Sequence, residues 1–117
     1  MSKVIFHVDE SDRWPMVLTN AAYMAGYGRE ENVPFEIEIL ANSEAVRQLA
    51  AQEAAQAGLA GRMEELARYG VRFAACRNAM RGLHIDADKL LPFIQTVPSG
   101  VVELVFRQEE GYAYIRP

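Results

Sequence analysis

The chain has 117 residues, half of them hydrophobic and 24% charged, a balance that suits one globular domain and excludes a disordered or fibrous chain. With 12 Lys and Arg against 16 Asp and Glu the formal net charge is -4 and no basic cluster stands out, so no nucleic acid partner is expected. The single cysteine, Cys76, excludes an internal disulfide and a CxxC redox pair and argues against a structural zinc site.

The opening stretch, MSKVIFHVDE, runs straight into strand-like residues without the long apolar region of a signal peptide. No apolar run approaches the roughly 20 residues that span a bilayer, so no membrane partner is expected and the cytoplasm is the default. Residues 4–8, VIFHV, lack polar alternation, as suits a strand covered on both faces. Asp9, Glu10, Ser11 and Asp12 form a turn and cap cluster, a better account of them than a metal site. Trp14, Val17, Leu18, Ala21, Met24 and Ala25 recur at helical spacing, predicting a first helix over about residues 12–26 that ends near Gly26-Tyr27-Gly28. With Asp12 as N-cap, Pro15 falls in the first turn, where a missing N–H costs nothing.

Residues 35–40, FEIEIL, alternate and predict a second strand with one more exposed face. Asn42 and Ser43 then cap a helix carrying Val46, Leu49 and Ala50, and the Ala-rich continuation is interrupted by Gly58 and Gly61. One bent helix and two separate helices both fit, with Met63, Leu66 and Ala67 leading to a C-cap at Gly70. Residues 71–75, VRFAA, predict a third strand with Cys76 at its end. Short helices follow, one around residues 77–81 and one opened by Asp86, and then a fourth strand over residues 93–97. Pro98-Ser99-Gly100 opens a helix with Val101, Leu104, Val105 and Gln108 on one face, closed by Gly111, and residues 112–115 form a fifth strand. Strands alternating with helices predict a single α/β domain over residues 1–117, a three-layer α/β/α sandwich around a five-stranded parallel sheet. No linker, low-complexity tail or internal repeat interrupts this order.

In an open parallel sheet, ligands bind outside the carboxyl ends of the strands. The predicted elements bring His7, Asp9, Asn42, Cys76, Arg77, Asn78, Pro98, Ser99 and Gly100 to that rim. A thiol at a helix N-terminus beside an arginine is in the setting that yields a thiolate at neutral pH, which makes Cys76 the candidate reactive residue. Against this, free cysteines are often inert, buried small hydrophobes, and FAAC is compatible with that. His7 is either a general base for the thiol or, as is more common for a histidine inside an apolar run, a hydrogen-bonded core residue. His84 reads as a solvated loop residue, and Arg77 and Arg81, four apart, present one helix face to an anion or to solvent. PSG lacks the length and lysine of a P-loop, and no cofactor is expected.

The segments KVIFHVDE, IEILANSEAV, GVRFAACRNAM and VPSGVVELVFRQEEGYAYIRP, in this order, resemble the DsrE/DsrF-like family, which includes the YchN-type proteins and TusD-kind sulfur-relay subunits. The resemblance runs over nearly the whole chain. It implies a five-stranded parallel sandwich, homo-oligomers of the trimer or hexamer kind and, in the sulfur-handling members, a cysteine after the third strand that carries sulfur as a persulfide. Cys76 matches that cysteine, and Asn42, Asn78 and Pro98-Ser99-Gly100 match polar and turn positions at the same rim. Two functions follow as expectations. One is an intracellular sulfur carrier or sulfurtransferase served by donor and acceptor proteins or small persulfides. The other is a non-catalytic oligomeric module whose rim binds a small anion or nucleotide.

Overall fold

Five strands, β1 (Ser2–Val8), β2 (Phe35–Ala41), β3 (Arg72–Cys76), β4 (Ile94–Val97) and β5 (Ala113–Ile115), form one parallel sheet in the order β4-β3-β2-β1-β5. The computed structural model describes residues 1–117. Five helices, α1 (Trp14–Glu31), α2 (Ala51–Gln56), α3 (Ala60–Arg68), α4 (Arg77–Leu83) and α5 (Gly100–Glu109), complete the chain with three 3-10 segments. Because side chains alternate along a strand, β1 to β3 feed two cores at once. Val4, Phe6, Ile37, Ile39, Phe73 and Ala75 meet Trp14 and Leu18 of α1, Ala54 of α2, Met63 and Leu66 of α3, and Met80 of α4. On the other face, Ile5, Leu40 and Ala74 meet Leu104 of α5 and Tyr112, with the partly buried Val97 packed against them. The layers are therefore α/β/α, with four helices on one side and one on the other.

Trp14 anchors the larger core: it is fully buried, stacks on Phe73 with ring centroids 6.4 Å apart, and its indole N–H donates to Ala45 O at 2.9 Å. No helix is long and apolar enough to cross a membrane.

Several expectations change in detail. The first helix does not end at Gly26-Tyr27-Gly28 but runs to Glu31, closed by Asn32 in the left-handed conformation at φ 55°. Gly28 is needed for space instead, since a Cβ there would lie 2.7 Å from Val33 O. Asp12 sits inside a 3-10 turn, and Arg13 occupies the N-cap position, although Pro15 does fall in the first turn. Of the two options for the Ala-rich stretch, the chain takes two helices, α2 and α3, broken where Gly58 turns at φ 71°. The alternation of β2 does not expose Glu38, which is completely buried beneath α5. On α5 itself Leu104 is buried, whereas Val101 and Val105 are 61% and 51% exposed.

Candidate functional site

The strand ends are level: Val8 pairs with Ala41, Ala41 with Ala75, and Cys76 with Val97. That register sets the residues following β1 to β4 along one rim. Cys76 ends β3 and occupies the N-cap position of α4, buried with 5% of its surface exposed. It lies on the α5 side of the sheet, where its Sγ accepts a hydrogen bond from the backbone N–H of Gly100 at 3.2 Å. Gly100 opens α5, and the contact depends on its lacking a side chain. A Cβ there would lie 3.0 Å from Asn42 Cβ and 3.3 Å from Cys76 Cβ. Three segments, the ends of β2 and β3 and the start of α5, thus close on the thiol. An N–H aimed at sulfur serves a thiolate or persulfide anion better than a neutral thiol, because hydrogen bonds to charged acceptors are the stronger ones.

His7, 8% exposed near the end of β1, has both ring nitrogens engaged. Nδ1 is 2.7 Å from Tyr114 Oη and Nε2 is 2.9 Å from Asn42 Oδ1. His7 is thus a hydrogen-bonded residue in a polar chain that runs from β5 to the residue beside Cys76. Asn42 does not cap the following 3-10 segment with its side chain, which it spends on His7. The chain turns immediately after it, at Ser43, with φ 49°, a conformation that costs a non-glycine residue on the order of 1 kcal/mol.

The other rim residues stand farther from the sulfur's own contacts. Arg77 is exposed, and its Nε donates to Thr96 Oγ1 at 2.9 Å rather than to Cys76. Asn78 accepts from Arg81 on the outer face of α4, and Asp9 pairs with Arg116 at 3.0 Å. Pro98 is exposed, and Ser99 holds the N-cap position of α5 without a side-chain cap, its carbonyl accepting from Glu103 N at 3.0 Å. The structure therefore gathers His7, Asn42, Cys76 and Gly100, and leaves Asp9, Arg77 and Asn78 in separate surface pairs.

Sequence reasoning missed Tyr114. The signal was in its parity: β5 pairs Tyr114 with Ile5, so it shares a sheet face with Ile5 and His7. A second polar cluster, also missed, lies at the opposite end of the α5 face. Glu38 Oε1 accepts from Arg72 at 3.0 Å and from Arg107 Nε at 2.9 Å, and the same Nε donates to Glu103 at 3.1 Å. Glu38 Oε2 is buried with no donor to meet it. Burial, followed by the neighbouring carboxyl of Glu103, outweighs the two arginines and pushes the Glu38 carboxyl up to about 7. Burial works against the charge of Arg107, but Glu38, Glu110 and Glu103 together hold its guanidinium above the ordinary range. Burial, then the hydrogen bond to Glu36, raises Tyr112.

The model of the DsrE/DsrF-like family matches residues 3–117. The chain belongs to the DsrE/DsrF-like family. Among solved structures, this DsrE/DsrF-like chain is similar to MTH1491 from Methanobacterium thermoautotrophicum, a protein described as of unknown function. The two are 34% identical with a TM-score of 0.86, covering 100% of each chain. It shares its fold with the ychN protein of E. coli, at 15% identity, a TM-score of 0.74 and 100% coverage of both chains. BT1422 from Bacteroides thetaiotaomicron, also of unknown function, aligns at 14% identity and TM-score 0.73, over 99% of this chain and 95% of that one. A comparison with curated proteins found no match. Membership of the DsrE/DsrF-like family points to a role related to sulfur relay.

Proposed function

We propose that this protein carries sulfane sulfur as a persulfide on Cys76. The observation that carries the reading is the placement of the sole thiol at the C-terminal rim of the sheet, with the Gly100 N–H aimed at Sγ. In the loading step the Cys76 thiolate attacks the outer sulfur of a donor persulfide, R–S–SH. One S–S bond forms as the donor's S–S bond breaks, R–S⁻ leaves, and Cys76 becomes Cys–S–SH with no net oxidation. Unloading is the same displacement by an acceptor thiolate on the terminal sulfur, which restores the Cys76 thiolate. One nucleophilic sulfur suffices for both steps, and no acid–base pair is required. The thiol is 5% exposed, with the start of α5 packed against it through the Gly100 N–H.

We place the protein in the cytoplasm as a homo-oligomer, a trimer or hexamer, assembled through the α5 side. Val101, Val102, Val105 and Phe106 are 45 to 61% exposed on α5, an apolar stripe on the same sheet face as Tyr114 of β5. The burial of Cys76 favours one competing reading, a non-catalytic module whose rim binds a small anion or nucleotide without chemistry at sulfur.

Intact-mass spectrometry after incubation with a small-molecule persulfide separates the two. A carrier gains the mass of one sulfur, loses it to reductant, and fails to gain it when Cys76→Ser is tested. Loading that survives the substitution, or a wild type that takes up no sulfur, removes the carrier function.

A further inference from the structure

The chain Tyr114–His7–Asn42 ends beside the reactive sulfur, and its hydrogen-bond logic assigns a role that rests on the persulfide reading. Asn42 Oδ1 has no hydrogen, so the 2.9 Å contact with His7 Nε2 requires that Nε2 carry the proton and donate. In the neutral imidazole Nδ1 is then an acceptor, and it receives the Tyr114 hydroxyl at 2.7 Å. With its oxygen committed to His7, Asn42 presents Nδ2 on the opposite side, toward Gly100 and Cys76. Nδ2 and Cys76 Cβ both lie 3.3 Å from the point a Gly100 side chain would occupy. Nδ2 meets no protein acceptor and is not sealed from solvent. The thiol itself already has the Gly100 N–H, and the Asn42 amide is the other polar group that closes on Gly100 beside Cys76.

We infer that Asn42 Nδ2 donates to the terminal sulfur of the Cys76 persulfide, and that His7, held by Tyr114, is the positioning residue that keeps the amide nitrogen turned toward it. A reversed amide would present its oxygen to an anion, which is repulsive. His7 prevents this by fixing Oδ1, and Tyr114 prevents the ring from turning. The persulfide is then held as its anion by two neutral donors, Gly100 N–H and Asn42 Nδ2. No cation is brought against the sulfur, and none is needed, because two oriented N–H groups suit a diffuse anion that must later leave.

The test loads the full-length protein with inorganic polysulfide, confirms one added sulfur by intact mass, and follows the rate of alkylation of the loaded sulfur against pH. Asn42→Ala removes one donor to a charged acceptor and should move the midpoint of that profile upward by about one pH unit, a tenfold change in acid dissociation. Asn42→Asp puts a carboxylate in the amide's place and should move it further. His7→Phe frees the amide to turn and should move the midpoint in the same direction by less, with Asn42 intact. A purely structural role would change stability or loading but leave the midpoint of the loaded sulfur where it is in the wild type. Loading with an unmoved midpoint in both Asn42 variants overturns the role of Asn42 and leaves the carrier reading standing. A wild type that takes no sulfur removes both. Should Asn42→Ala unfold, Asn42→Ser keeps a hydroxyl donor and should lie between wild type and Asn42→Asp; a Ser variant at the Asp position overturns the inference.

Discussion

Replacing Glu38 by Gln should abolish a pH dependence that this one carboxyl imposes on stability. Its pKa stands at about 7 in the fold against 4.5 in the unfolded chain, a gap worth about 3 kcal/mol at 1.36 kcal/mol per unit. The sign follows from which state holds the proton. A carboxyl raised by folding binds its proton more tightly in the native state, so its contribution is fully present below pH 4.5 and is lost as pH rises through 7. Glutamine mimics the protonated acid: it is neutral at every pH, and its oxygen can still accept from Arg72 and Arg107. The assay is urea unfolding of both proteins at pH 5 and pH 8, followed by the fluorescence of Trp14, the sole tryptophan and a fully buried one. Wild-type stability minus that of Glu38→Gln should be smaller at pH 8 than at pH 5 by up to about 3 kcal/mol. A difference that is constant across the range, or that grows with pH, would show that Glu38 is an ordinary ionised partner of the two arginines.

Gly100→Ala should destabilise by about 1–3 kcal/mol, because its Cβ would press on Asn42 Cβ at 3.0 Å and on Cys76 Cβ at 3.3 Å. The same variant should speed alkylation of Cys76 in the folded protein, since the displaced helix start no longer covers the sulfur; an unchanged rate would mean that α5 does not shield it. Phe106→Glu, at a side chain 55% exposed, should leave thermal unfolding of the subunit almost unmoved while lowering the solution mass measured by light scattering. A wild type already of one-chain mass would contradict the assembly through this face.

The rim was legible because strand ends are marked by a change of chemistry. VIFHV gives way to DE, EIL to AN, and FAAC to RN, and an alternating order of strands and helices forces those ends to one side. Strand order and the pairing of β5 with β1 were not legible, since nothing local distinguishes a crossover to one edge from a crossover to the other. That pairing is what brings Tyr114 to His7 across 107 residues of chain. The misreadings share one cause, tertiary packing overriding a local cue. Gly26 and Gly28 look like a helix end, yet Gly28 is there because Val33 and Phe35 crowd it. Glu38 looks like the solvent side of an alternating strand, yet the parity that buries it also buries Leu40, and the arginines that accommodate it come from β3 and α5. Arg77 looks like the cysteine's cation, but its nearest acceptor is a neighbour on β4.

Both polar clusters lie under the same helix, and this coupling can be tested. Gly100 touches Cys76 at the start of α5 and Arg107 touches Glu38 near its end, seven residues and about 10 Å along the axis. Between them only Leu104 is buried, so the polar contacts at its two ends decide how the helix sits on the sheet. Loss of the Glu38 proton leaves Glu38, Glu103 and Glu110 as three carboxylates around one Arg107, with Arg72 adding a second cation, and Glu36 and Tyr112 flank the cluster. If α5 responds as a rigid body, the shielding of Cys76 weakens at the far end as pH passes 7. Thiol ionisation contributes equally to wild type and Glu38→Gln, so it cancels in the ratio of their Cys76 alkylation rates. That ratio should be near one at pH 6 and rise above it by pH 8. A ratio that stays at one while the stability difference changes would show that Glu38 titrates without moving α5, and that the two ends of the helix are energetically independent.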